Sequence, residues 1–331
     1  MDTLDDNEVR KWSSSDISKY CLYVKINDSS YIDKLKSSFN LIKSINSEVS
    51  IGFLKEKNDN DEDENIIELY ITGQFDGSIN VYIKHVLSAD EKNFKCLNSI
   101  TKNNEIVINI KTDDICDIFK VIQSNTLLSM YMYNEYDTLY LQEQESNKRT
   151  ICNEIQTMEK KENMTTSKSL NFKEKNIKAK VIMDAEELSS LLKRRFKKSG
   201  SSIIIRLTKE AITFSSNSIS SPNMHSITNS IKITYPKSEN VFIDFKDKNI
   251  EIIESNYIYA NLEFLKNIKS QYYTKVILLF IQLHDNNYVI QFIYAGMGDK
   301  IYDDQIKITV LPCILDRTDN FNNDNQINYN D

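Results

Sequence analysis

The sequence predicts an α+β protein made of two similar halves, each with two helices packed on antiparallel strands. Three observations predict it. Apolar residues recur at helical spacing in four segments and alternate in most of the rest. The order strand, helix, several strands, helix, several strands occurs twice. The first helices of the two halves start at residues 29 and 184, 155 residues apart, and the second helices at 112 and 260, 148 apart. Near-equal offsets in a chain of 331 residues mark an internal duplication at domain scale.

The ends, 1–18 and 316–331, are polar and aperiodic and are expected to be a flexible tail and a disordered tail. A first domain is expected over 19–158. It opens with a strand at 19–26 and a helix at 29–45, in which Ile32, Leu35, Phe39 and Ile42 form one stripe. Alternation then predicts strands at 49–55, 66–72, 78–86 and 105–111. A second helix at 112–124 turns Ile115, Ile118, Phe119 and Ile122 inward, and strands at 126–133, 138–142 and 150–158 close the half.

A connector is expected over 159–176. It is polar and Lys-rich, yet carries Met164, Leu170 and Phe172 as apolar residues to dock. The second domain, 177–315, repeats the plan with a strand at 177–183 and a helix at 184–198, striped by Leu188, Leu191, Leu192 and Phe196. Strands follow at 202–208, 211–215, 228–235, 241–245 and 250–254. A helix at 260–271 buries Leu265 and Ile268, and strands at 275–284, 288–294 and 305–311 complete the chain.

Composition narrows the function. With 40% hydrophobic residues the chain can bury a sizeable core. Six glycines and three prolines argue against a Gly-rich phosphate loop or a Pro-rich scaffold. A net charge of -7 argues against a protein that coats nucleic acid with its whole surface, and leaves room for a local basic face. Five dispersed cysteines without a C-x-x-C pair predict free thiols in a reducing compartment rather than disulfides or a zinc site. The acidic N-terminus has no apolar run, so no signal peptide is expected; with no apolar stretch of spanning length, a soluble intracellular protein without membrane contact is expected. Abundant Asn, Ile and Lys with scarce Arg hint at an AT-rich genome.

No enzyme signature is present. His85, His225 and His284 lie in or beside strands without a metal or triad pattern. Gly296-x-Gly298 lacks the third glycine of a dinucleotide fingerprint, and no P-loop occurs, so neither a catalytic residue nor a cofactor is expected. Asp59, Asp61 and Asp63 alternate as in a calcium loop, but Glu64 stands where that loop needs Gly and Tyr70 where it needs a bidentate Glu. A solvated hairpin insertion, with no metal, is the expectation there.

The pronounced charge cluster is Lys193, Arg194, Arg195, Lys197 and Lys198, largely opposite the apolar stripe of its helix. Five cations in six residues exceed what a helix dipole calls for. Lys34, Lys36 and Lys43 on the first helix, and Lys266 and Lys269 on the fourth, form weaker versions. Set side by side, these faces would make one basic surface suited to duplex phosphates, reading no sequence.

The element order resembles the PCNA-type sliding clamp family, over about residues 19–315. The stretch 291–314, QFIYAGMGDKIYDDQIKITVLPCI, is similar to that family's closing signature. Ala295, Met297 and Gly298 match its turn, with Gly296 in place of an acidic residue; Leu311 and Pro312 match its tail, one residue short. The segment 178–215, with its KEAITFSS strand, resembles the start of the family's second domain.

That resemblance implies a ring. Three copies would close head to tail around duplex DNA, helices inside and a continuous sheet outside, with edge strands 150–158 and 227–235 meeting between copies. It implies a polymerase processivity factor in replication and repair, with Lys34, Lys36, Lys43, Lys193, Arg194, Lys197, Lys198, Lys266 and Lys269 toward DNA. DNA polymerase and other partners would insert a short hydrophobic motif against Met164, Leu170, Phe172, Val310, Leu311 and Pro312, and an ATP-dependent clamp loader would open the ring. The location implied is the nucleus, or a cytoplasmic replication site for a viral protein. One departure stands out: Asp113, Asp117 and Lys120 on the second helix would make part of a pore lining acidic. The alternatives are a checkpoint-clamp-like subunit of a heterotrimer, which 102–141 would equally suit, a clamp-derived transcription factor, and a monomeric interaction scaffold.

Overall fold

Alternating apolar residues pair the strands into three antiparallel sheets in a computed structural model, which describes residues 20–26, 29–56, 66–75, 79–88, 105–133, 138–144, 149–158, 172–196, 202–217, 231–269, 272–284, 287–295 and 305–312. The first half contains β1 (Leu22–Ile26), α1 (Ser29–Lys43), β2 (Glu48–Glu56), β3 (Ile66–Phe75), β4 (Ile79–Ser88), β5 (Glu105–Lys111), α2 (Thr112–Val121), β6 (Leu127–Met132), β7 (Leu139–Gln144) and β8 (Thr150–Ile155). A single 3-10 turn, Glu174–Asn176, leads into β9 (Ile177–Asp184), α3 (Ala185–Ser190), β10 (Ser202–Thr208), β11 (Ala211–Asn217), β12 (Lys232–Pro236) and β13 (Phe242–Phe245). The chain continues through β14 (Ile252–Ile258), α4 (Ala260–Glu263), β15 (Lys275–His284), β16 (Asn287–Ala295) and β17 (Gln305–Val310). The expected mixed α+β class and the repeated order are both present.

Two sheets have four strands, ordered β1-β6-β7-β8 and β12-β11-β10-β14. The third has nine, ordered β13-β9-β15-β16-β17-β4-β3-β2-β5, and so joins the two halves. The joint is the β17–β4 ladder, from Gln305 opposite Lys84 to Val310 opposite Ile79. Because strand side chains alternate, one face of each sheet is apolar. Leu22, Val24 and Ile26 of β1 and Leu128, Met130 and Met132 of β6 are buried beneath the helices' apolar stripes. On the opposite face of that sheet, Tyr20, Tyr23 and Tyr131 form a separate small cluster with Tyr140.

In α1, Ile32, Leu35, Phe39 and Ile42 are all buried, as the stripe predicts. The Phe39 and Phe119 rings, with centroids 4.9 Å apart, lock α1 onto α2. Burying side chains of this size contributes about 1.5–3 kcal/mol each. In the second half, Tyr257 of β14 is fully buried and its hydroxyl donates to the Tyr288 carbonyl at 2.8 Å, tying a four-stranded sheet to the nine-stranded one.

The second-half helices differ most from expectation. Asp184 is not the first helical residue but the N-cap, its Oδ1 accepting from the backbone N–H of Glu186 at 2.8 Å and of Glu187 at 3.3 Å. After Ser190 the helix widens into a π-helical turn, Leu191–Arg195. Leu191 and Phe196, five residues apart, are both buried, and the i,i+5 spacing of a π turn brings them onto one line. Residues 197–198 of the expected helix lie outside the described residues. The fourth helix is also shorter than 260–271: α4 passes into a 3-10 turn, Phe264–Asn267, and Ile268 is extended with φ -70 and ψ 121. Phe264, Leu265 and Ile268 are all buried along that path. In the first half, α1 stops at Lys43 and α2 at Val121, and β8 stops at Ile155. Beyond β8, Met158 makes one isolated bridge, its N–H donating to the Asn109 carbonyl at 2.8 Å.

Candidate nucleic-acid interface

The apolar stripes face inward, so each helix turns its charged side chains outward. In the first half, four of the eight charged residues on α1 and α2 pair with one another, and Lys34 and Lys36 meet a ring and a hydroxyl. Lys34 Nζ sits 4.9 Å from the centroid of the Tyr31 ring, one turn earlier on α1. Lys36 Nζ donates to Ser124 Oγ at 3.1 Å, and Ser124 Oγ in turn donates to Asp33 Oδ1. Lys43 Nζ lies 2.5 Å from Asp113 Oδ1 and 3.9 Å from Asp117 Oδ1. Lys120 pairs with Asp117 at 2.6 Å.

These contacts have electrostatic consequences. The hydrogen bond to Asp113 raises the Lys43 ammonium above its ordinary pKa, and the bond from Lys120 holds the Asp117 carboxyl below the usual range. The α1 helix carries three lysines and one aspartate, and α2 three aspartates and one lysine, so the pair is electrically neutral. The sequence makes that acidity on α2 visible, and Asp117–Lys120 is legible at i,i+3 spacing. The Lys43–Asp113 bridge is not, because the partners are far apart in sequence and meet only through the α1–α2 packing.

The second half is more cationic. The segment from Ala185 to Arg195 carries Glu186 and Glu187 against Lys193, Arg194 and Arg195, with Lys197 and Lys198 next in sequence. Lys193 is exposed, without an ion pair among the described residues. The side chains of Arg194 and Arg195, and residues Lys197 and Lys198, lie outside the described set. Lys266 pairs with Glu263 on the same face, and its carbonyl accepts from Ser189 Oγ at 3.4 Å, joining the two helical segments. Lys269 is beyond the helix end, exposed, with Nζ 6.0 Å from the Tyr272 ring centroid.

Of the residues expected to receive a partner motif, Phe172 is half-buried just before the 3-10 turn, and Met164 and Leu170 lie outside the described residues. Val310 is fully buried at the end of β17, paired with Ile290 and Ile79, while Leu311 and Pro312 just beyond it are half-buried.

Two sheet edges complete the description. On β8, Thr150, Cys152 and Glu154 are exposed, Ile151 and Asn153 half-buried and Ile155 buried. On β12, Lys232, Thr234 and Pro236 are exposed, and Ile233 and Tyr235 half-buried. Each strand terminates its sheet, and each has one wet and one apolar-facing side.

No family model matches the chain, and no curated protein matches its sequence. Among solved structures, that of Proliferating Cellular Nuclear Antigen from Entamoeba histolytica is similar over 88% of this chain and 99% of its own, with a TM-score of 0.62 at 13% identity. The fold is therefore PCNA-like, as the element order implies.

Proposed function

We propose that the protein is a DNA sliding clamp, three copies of which close head to tail around duplex DNA and tether a polymerase and other replication and repair proteins. The observation that carries this reading is the pair of complementary edges, β8 in the first half and β12 in the second. An antiparallel ladder between copies that sets Glu154 opposite Lys232 also sets Cys152 opposite Thr234, Ile151 opposite Tyr235 and Ile155 opposite Ile231. Along β8 the exposed Thr150, Cys152 and Glu154 then meet the exposed Pro236, Thr234 and Lys232, and Ile151 and Ile155 meet Tyr235 and Ile231, while the half-buried Asn153 faces Ile233. Such a contact is heterologous, so it closes into a ring by rotation, and it covers edges that otherwise invite aggregation.

The function follows from topology. A closed ring cannot leave duplex DNA sideways, so a tethered polymerase stays at high effective concentration near the primer end even when each contact is weak. The halves 19–158 and 177–315 act as the two domains of each copy, joined by 159–176. The cations proposed to face phosphates are those of the four helical segments, chiefly Lys193, Arg194, Lys197 and Lys198, with Lys34, Lys36, Lys43, Lys266 and Lys269. Partners engage the connector, through Met164, Leu170 and Phe172, and the end of β17, through Leu311 and Pro312 over Val310. An ATP-dependent loader opens the ring, and the protein works wherever its genome is replicated: the nucleus, or a cytoplasmic replication site for a viral genome.

Charge reversal at the edge tests this reading. Glu154→Lys sets like charges opposite Lys232 at every joint and is expected to lower the mass of the assembly at a given concentration; adding Lys232→Glu is expected to restore it. Identical masses for the parent, single and double variants would sink the proposed ladder.

A further inference from the structure

We infer that the DNA-facing surface alternates between neutral and basic sectors, because Asp113 and Asp117 hold Lys43 away from phosphate and leave the contacts to the second-half helices. This rests on the sliding-clamp reading and adds to it a determinant within the chain that limits DNA contact.

The argument starts from where the first-half cations end. Lys43 is bonded to Asp113 at 2.5 Å and shares Asp117 at 3.9 Å, while Asp117 is also held by Lys120 at 2.6 Å. Asp113 and Asp117 are themselves largely exposed, with side-chain accessibilities of 71% and 63%, so they stand on the same outward face that the lysines would offer to a ligand. A phosphate approaching Lys43 would have to displace one carboxylate and lie beside two. Lys36 is turned instead toward Ser124, itself bonded to Asp33. With three lysines and one aspartate on α1 against three aspartates and one lysine on α2, the sector has no net charge to attract the DNA backbone.

In the second-half sector, Lys193 is exposed and has no such brake among the described residues. Glu186 and Glu187 occupy the first turn of α3, where they favour the helix dipole, whereas Lys193, Arg194 and Arg195 come at the other end. Repeated three times, the pattern gives a bore with three basic sectors separated by three neutral ones. Fewer simultaneous phosphate contacts mean a shallower salt dependence and weaker hold on DNA, which favours sliding.

The test uses the full-length protein and a short linear duplex, with affinity measured by fluorescence anisotropy across a salt series. Asp113→Asn with Asp117→Asn leaves the helix faces exposed and uncharged there, and is expected to tighten binding and steepen the dependence of log K on log salt by about 0.9 for each lysine that gains a phosphate. Adding Lys43→Gln and Lys120→Gln to that double variant, which removes both lysines the two aspartates hold, is expected to return the slope to the parent value. An unchanged slope in the double variant, or a gain that survives both lysine substitutions, would overturn the inference. Lys193→Gln serves as the separate arm: it is expected to reduce the slope. No duplex binding by the parent protein, or a parent slope retained in Lys193→Gln, would instead overturn the DNA-facing assignment on which the inference rests.

Discussion

Raising the pH past the range in which a phenol ordinarily ionises is expected to unfold the protein through Tyr257 and Tyr294. Both side chains are buried, at 0% and 2% exposure, and burial pushes both hydroxyls above their ordinary pKa. The Tyr257 hydroxyl also donates to the Tyr288 carbonyl at 2.8 Å, a bond available only to the protonated form. In the unfolded chain each tyrosine titrates near about 10. Between that value and the raised native one, the native state binds more protons than the unfolded state, so stability falls as pH rises. The stabilisation is fully present below about pH 9. Above about pH 10 it declines by about 1.4 kcal/mol per pH unit for each buried phenol, or about 2.8 for the two together. Urea-unfolding midpoints at fixed protein concentration, read at several pH values from neutral upward, measure that slope. Tyr257→Phe is expected to remove about 1.4 kcal/mol per pH unit from that slope and, separately, to lower stability at neutral pH by about 1 kcal/mol through the lost hydrogen bond. If Tyr257→Phe and Tyr294→Phe both keep the parent slope, the reasoning fails and other groups drive alkaline unfolding.

Two further outcomes follow from the packing. Phe119→Ala, which removes the ring packed with its centroid 4.9 Å from that of Phe39 between α1 and α2, is expected to cost about 3–5 kcal/mol in a urea titration. A loss below about 1 kcal/mol would mean that the helix pair is not held by this contact. Timed thiol labelling is expected to modify the exposed Cys152 first and Cys116 only on unfolding, since burial pushes the Cys116 thiol up to about 11. Equal labelling rates for the two thiols in the folded protein would contradict the burial of α2.

Much of this fold is legible in the sequence because half-buried strands and amphipathic helices have different periods. The strands at 105–111, 202–208 and 275–284 begin and end where alternation does, and the α1 stripe of Ile32, Leu35, Phe39 and Ile42 is buried throughout. The second-half helices resist the same reading. Leu188, Leu191, Leu192 and Phe196 look like a regular stripe, yet the core takes Phe196 through a π-helical turn, and Ile268 through an extended residue. Tertiary packing overrides the local period there.

Sheet topology is less legible still. Nothing local to β17 or β4 announces that they pair and join two halves across more than two hundred residues. The basic cluster is visible as charge, but the pairing of Lys43 with Asp113 depends on how α1 and α2 dock, which is a property of Phe39 and Phe119 rather than of the charged residues themselves.

The ring is the central claim, and its mass in solution tests it most directly. Light scattering after size-exclusion chromatography, over a dilution series of the full-length protein, is expected to give three times 38.6 kDa, with dissociation only on dilution. A mass of 38.6 kDa at every concentration would contradict self-closure through β8 and β12.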